Sequence, residues 1–166
     1  LDNSLRLVNF AFLVIILGLT GSLIATQDEH SPRVNFAIFT AAFALVTDSF
    51  YAVFANLFSA FAWPILLVTW DFLNFVFTFS AATALAVGIR THSCTNESYL
   101  LSNSITQGST DRCRKAQATV AFLYFSFFIF LTKLVLSVVN VFSSGAFGSG
   151  SGSRRANVGV PTISQV

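Results

Sequence analysis

The sequence predicts an all-α protein: a bundle of four transmembrane helices followed by a flexible tail. Three observations carry that expectation. Of the 166 residues, 54% are hydrophobic and only 10% are charged, whereas a soluble domain carries about 25% charged residues. The apolar residues fall into four long stretches, each able to supply the about 20 helical residues that cross about 30 Å of hydrocarbon. Polar segments rich in charge separate those stretches.

The first span is expected at residues 5–25. No charge occurs from Leu7 to Gln27, a longer run than the roughly 7–15 apolar residues of a signal-peptide core, so it reads as a retained span. Gly18 and Ser22 offer it a close-approach face. The polar run from Thr26 to Arg33 is a wet loop. The second span, residues 34–58, is interrupted by Asp48. Its small and polar residues Thr40, Ala44, Asp48, Ala52 and Asn56 recur every four positions, which puts them on one helix face. The third span, residues 62–89, begins with Trp63, a ring suited to the membrane interface. Pro64 follows in the first turn, where the amides lack intrahelical partners anyway. Asp71, Asn74, Thr78 and Ala81 share one of its faces. The fourth span, residues 116–142, carries Lys133 on a face with Ser126, Ser137 and Asn140. The twenty phenylalanines are expected to meet lipid, where a large apolar side chain needs no protein core. Methionine is absent, so a short stretch is expected to precede Leu1.

Four spans put both termini on one side. The loop 90–115 contains Cys94 and Cys113, which are expected to close a disulfide in an oxidising compartment rather than remain free thiols. It also contains Asn96-Glu97-Ser98, an acceptor sequence for N-glycosylation, although a weak signal so close to the membrane. Both features favour an extracellular loop 90–115 and cytosolic termini. The positive-inside rule points the other way. That topology leaves Arg6, Arg154 and Arg155 inside, and Arg33, Arg90, Arg112, Arg114 and Lys115 outside.

Asp48, Asp71 and Lys133 need explanation, because a charge at mid-bilayer costs about 2.5–3.5 kcal/mol on insertion scales. Counted along the expected spans at about 1.5 Å per residue, all three lie about 14 Å from the cytosolic end. A structural polar cluster of Asp48, Asp71, Lys133 and Asn74 is therefore expected to fix helix register, with Lys133 pairing Asp71, Asp48 or both. The alternative is an ion- or proton-coupled pathway, kept open because two carboxylates against one ammonium leave a charge unmatched. Against it, coupled transporters use broken helices and repeat symmetry.

Other chemistry is excluded by what the sequence lacks. His30 and His92 are its two histidines, and no His, Cys and acid spacing suits a metal. No phosphate-cradling glycine loop precedes a helix, and no nucleophile lies beside a base, so no catalytic residue, cofactor or metal site is expected. A net charge of +2, with no basic run longer than Arg154-Arg155, argues against nucleic acid. The tail, residues 145–166, has the composition of a flexible linker. Ser151 and Ser153 beside Arg154 and Arg155 suggest regulatory phosphorylation next to a contact with anionic head groups.

Asp71-Phe-Leu-Asn-Phe-Val-Phe-Thr-Phe79 and Leu85-Ala-Val-Gly-Ile-Arg-Thr-His-Ser-Cys94 resemble the fungal non-classical export protein family. So do Arg112-Cys-Arg-Lys-Ala-Gln-Ala118, Gly145-Ala-Phe-Gly-Ser-Gly150 and Val158-Gly-Val-Pro-Thr-Ile-Ser-Gln-Val166. That family is similar to MARVEL-type tetraspans. The resemblance covers nearly the whole chain and implies a plasma-membrane protein of furrow-like eisosome domains, with cytosolic termini. It implies a non-enzymatic organiser that responds to sphingolipid status, with a part in leaderless protein export. Partners would be sphingolipid and sterol, other plasma-membrane or eisosome proteins, and further copies in a homo- or hetero-oligomer. It implies no catalytic residues.

Overall fold

The computed structural model describes residues 2–50, 64–90 and 92–144. Among them the chain is helical, without strands. Helix α1 spans Asp2–Ala25 and α2 spans Pro32–Ala44, which runs on into a π-helical turn, Leu45–Phe50. Helix α3 spans Pro64–Ile89, a short α4 spans Glu97–Ser102, and α5 spans Thr110–Ser144. The long helices close a ring in which α1 packs on α2, α2 on α3, α3 on α5 and α5 back on α1.

Helix periodicity explains the ring. On α1 the buried residues Asn9, Leu13, Ile16, Thr20 and Leu23 recur at three- and four-residue steps, so they share one face. On α5 the same spacing buries Ala116, Thr119, Leu123, Ser126, Phe130 and Lys133. Ala37, Ala41 and Ala44 of α2 and Ala81 and Ala82 of α3 are fully buried. Their small side chains let backbones approach where lipid supplies no hydrophobic drive for helix association.

Helices α1, α3 and α5 are each long and apolar enough to cross a membrane, over Ser4–Ala25, Ile65–Ile89 and Thr110–Ser143. Continuous helix in α2 and its π turn reaches Phe50. The rest of the expected second span, with Ala52 and Asn56, lies outside the described residues, as does Trp63.

Several expectations change. The loop expected to last until Lys115 ends earlier, because α5 begins at Thr110. Hydropathy marks the edge of hydrocarbon, whereas a helix continues into water while its backbone bonds hold; here the Asp111–Lys115 ion pair, 2.6 Å and one turn apart, spans that wet first turn. Gly18 is exposed and a side chain there would meet nothing within 4 Å. The inner face of α1 is instead filled by Leu13, Ile16 and Leu23, so it packs by bulk. The phenylalanines divide between two roles. Phe39, Phe72, Phe79, Phe125 and Phe128 are exposed, but rings also bridge neighbouring helices: Phe43 to Phe77, with centroids 5.2 Å apart, Phe12 to Phe122 at 5.5 Å, and Phe75 to Phe127 at 5.1 Å.

Candidate functional site: a buried charge cluster

Asp48 lies in the π turn, which buries Leu45, Thr47 and Asp48. A π turn is wider than an α turn because its bonds reach five residues along the chain, and such turns gather at functional sites. Thr47 and Asp48, neighbours in sequence, both face the interior. The Thr47 hydroxyl donates to the Phe43 carbonyl at 2.8 Å and accepts from Asn74 Nδ2 at 2.8 Å. That chain of bonds ties the π turn to α3.

Three donors converge on the Asp48 carboxylate. Arg6 of α1 reaches Oδ1 at 2.6 Å, and Asn9, one turn further along, donates to Oδ2 at 3.1 Å. Lys133 of α5 pairs with the same Oδ1. Its ammonium also reaches Asp71 Oδ1 on α3 at 3.2 Å, and Ser137, one turn beyond Lys133, donates to Asp71 Oδ2 at 2.5 Å. Lys133 is fully buried, and Asp48 and Asp71 are 2% and 4% exposed. Its stem lies by the Phe130 ring, 5.0 Å from Nζ to centroid, a favourable place for a cation. The structure thus brings together Asp48, Asp71 and Lys133, whereas Asn74 bonds Thr47, the sequence neighbour of Asp48, and not the charged groups themselves.

Sequence reasoning missed Arg6 and Asn9. By sequence Arg6 belongs with the charges outside the hydrocarbon, yet its long stem reaches inward to Asp48. With it, two cations face two carboxylates among the described residues, and the surplus acid that motivated a coupled pathway is matched. The signal was available. Arg6 and Asn9 share a helix face, and a buried excess of acid calls for a cation near the same end.

The other end of the bundle is also tied. Cys94 and Cys113 form a disulfide with Cα atoms 5.7 Å apart, joining the segment after α3 to the first turn of α5. Arg112, 5% exposed, donates to the Leu23 carbonyl at 2.8 Å, to Thr26 Oγ1 at 2.6 Å and to the Ile105 carbonyl at 3.1 Å. A cation at the end of α1 meets the negative end of the helix dipole. Asn96, the glycosylation candidate, is exposed and caps α4, accepting from the Tyr99 amide at 3.3 Å and the Ser98 hydroxyl at 2.7 Å. Ser151, Ser153, Arg154 and Arg155 lie outside the described residues.

A family model described as the membrane-associating domain, MARVEL, matches residues 1–136. The chain belongs to the MARVEL family. It is similar to "Non-classical export protein 2" of Saccharomyces cerevisiae, 62% identical over 168 aligned positions covering 99% of this chain and 97% of that one. It is 58% identical to "Non-classical export protein 102" of Candida albicans over 167 positions, with the same two coverages of 99% and 97%. A Schizosaccharomyces pombe homologue is 33% identical over 135 positions, 80% of this chain and 74% of that one. These relatives place it among the fungal non-classical export proteins. No solved structure matches it significantly. The MARVEL match spans Arg6, Asn9, Asp48, Asp71 and Lys133, so the charge cluster belongs to the family domain and not to the tail.

Proposed function

We propose that this MARVEL protein is a non-enzymatic organiser of the fungal plasma membrane. In this reading it crosses the bilayer four times with cytosolic termini, gathers in eisosome furrows and responds to sphingolipid status. The observation that carries the proposal is the balanced charge cluster, which clamps α1, the π turn, α3 and α5 at one level. A bundle held that way presents a fixed outer face. That face carries Phe39, Phe72, Phe79, Phe125 and Phe128 toward the surroundings, as a protein acting through lateral contacts with lipid and neighbours requires. The disulfide supports an oxidising side for the loop end, hence cytosolic termini. The names of the relatives support a part in leaderless export, a less direct consequence of membrane organisation.

The test is colocalisation of the full-length protein with sterol- and sphingolipid-rich furrows, before and after sphingolipid synthesis is blocked. Concentration in furrows that changes on the block is expected. A uniform distribution unaffected by the block would remove the proposal. The competing reading, a small coupled transporter, is tested in proteoliposomes. Proton or ion flux that disappears in Asp48→Asn or Asp71→Asn would replace the organiser with a transporter.

A further inference from the structure

The loop end holds a constellation that the buried cluster does not use. A partly open cavity of about 610 Å³ lies where α2 begins and α3 ends, with Arg33, Arg90, His92, Tyr99, Ser102 and Asn103 in its lining. That is within the about 300–1,000 Å³ range of small-molecule sites. The lining contains two arginines and no carboxylate. Among the described residues, neither guanidinium has an ion pair or hydrogen bond, and both arginines are exposed. The nearby acids Asp28, Glu29 and Glu97 are not in the wall.

The wall is shaped to hold those two cations. A Cβ at Gly88 would come within 2.9 Å of both Cδ and Nη1 of Arg33 and 2.6 Å of Ile105 Cδ1. With glycine at position 88, Arg33 lies across the last turn of α3 without having to shift. Arg90 ends that helix with φ 51°, a left-handed conformation that glycine adopts with less strain; this chain keeps a cation there. The opposite wall is fixed. Asn103 Nδ2 donates to the Gly88 carbonyl at 2.8 Å, and the Tyr99 hydroxyl donates to the Ile89 carbonyl. Burial raises the Tyr99 phenol above its ordinary pKa, partly opposed by the positive field of Arg90.

Position decides the ligand's source. Arg33 is the second residue of α2. Arg90 follows directly on α3, whose apolar stretch ends at Ile89. Both stand at the border of hydrocarbon, where the head groups of a bilayer begin. We propose that this cavity binds the anionic phosphate ester of a membrane lipid head group, with Arg33 and Arg90 as its two cationic arms. Guanidinium groups recognise phosphate oxygens through paired, charge-assisted hydrogen bonds. The volume exceeds what a bare phosphate fills, leaving space for head-group hydroxyls against Ser102, Asn103 and Ser104. A zwitterionic choline lipid fits poorly, because its quaternary cation would face two arginines. The inference deepens the organiser reading by naming a lipid class, but its test reads binding by purified protein, so either can fail without the other.

The full chain is reconstituted in phosphatidylcholine nanodiscs carrying a trace of photo-crosslinkable phosphatidylinositol. Labelling is expected to map to the segments that line the cavity. It should fall about tenfold in Arg33→Gln and in Arg90→Gln, the loss of one charge-assisted contact each. Arg33→Lys and Arg90→Lys should recover much of it. Arg114→Gln, at an exposed cation in the first turns of α5 and outside the wall, should leave it unchanged, and all variants should melt like the parent. Equal labelling by a photo-crosslinkable phosphatidylcholine, or an equal loss in Arg114→Gln, would overturn the proposal as diffuse attraction. Displacement of the probe by soluble inositol phosphate at matched concentration would overturn the lipid source in favour of a free phosphate ester.

Discussion

Replacing Lys133 by methionine removes the ammonium and keeps an apolar stem of similar shape. The consequence divides unequally between the two carboxylates. Asp48 retains Arg6 at 2.6 Å and Asn9 at 3.1 Å. Asp71 retains the Ser137 hydroxyl, which donates to Oδ2 at 2.5 Å. The uncompensated charge therefore falls on Asp71. Removing one partner of a buried pair costs about 3–5 kcal/mol, and because Asp48 stays matched the lower end, about 3 kcal/mol, is expected. At about 2–4 °C per kcal/mol for a chain of this size, Lys133→Met should lower the melting midpoint by about 6–12 °C. The second substitution then identifies the stranded group. Lys133→Met with Asp71→Asn should recover about 2 kcal/mol, within the range seen for contacting residues. Lys133→Met with Asp48→Asn should recover nothing, because it takes from Arg6 its partner in the cluster and leaves Asp71 as it was. Tryptophan-fluorescence melting of detergent-purified protein, run as a double-mutant cycle, reads both. Equal rescue by the two asparagines, or an unchanged midpoint for Lys133→Met, would refute the reasoning.

Four further outcomes follow from the loop end. Reducing the Cys94–Cys113 bond, which closes a loop with 19-residue separation, should cost about 3 kcal/mol in the chain-entropy model and be read as a lower melting midpoint. On intact cells without reductant, a membrane-impermeant maleimide should leave both cysteines unlabelled. Gly88→Ala should destabilise by about 1–3 kcal/mol, because its Cβ would lie 2.6 Å from Ile105 Cδ1, a side chain with 1% exposure; an unchanged midpoint would mean that Ile105 and Arg33 shift freely. Arg112→Met should cost about 2 kcal/mol or more by leaving the Leu23 and Ile105 carbonyls without their charged donor, measured as faster hydrogen exchange at the end of α1.

Helix geometry is regular, so residue counts from the ends of apolar stretches were enough to place Asp48, Asp71 and Lys133 at one level. The same regularity put Asn74 and Ser137 on the inner faces. Arg6 escaped because a cation near a span end already has a sufficient explanation in the interface. Only its partner, on another helix 42 residues away, shows that it reaches inward. The π turn has no signature in the sequence: Leu45–Phe50 reads as ordinary helix, and the extra residue is a consequence of packing. The early start of α5 and the short α4 were hidden for a different reason. Hydropathy reports solvent, whereas helix bounds report backbone bonding and caps such as Asn96. Ring contacts across the helices, Phe43 on Phe77 for one, could not be separated from lipid-facing phenylalanines, since composition is the same for both.

A pathway for protons or ions requires a charged group whose partner can leave at tolerable cost. In this cluster the two central charged groups are shared. Asp48 serves both Arg6 and Lys133, and Lys133 serves both Asp48 and Asp71. Withdrawing any one of Asp48, Lys133 or Asp71 loosens a second group, at a depth where a lone charge costs about 2.5–3.5 kcal/mol or more. Sharing converts three contacts into one unit that holds four elements in register. At the opposite end, the disulfide and Arg112 join the loop to α1 and α5 independently of that unit. A bundle tied at both ends has little freedom to open a passage between its helices. It retains its lateral surface, aromatic along its length and cationic beside the cavity of Arg33 and Arg90, and that is the surface lipids meet. For this reason the charge cluster favours the proposed organiser over a transporter, even though buried charges in a membrane first suggest transport.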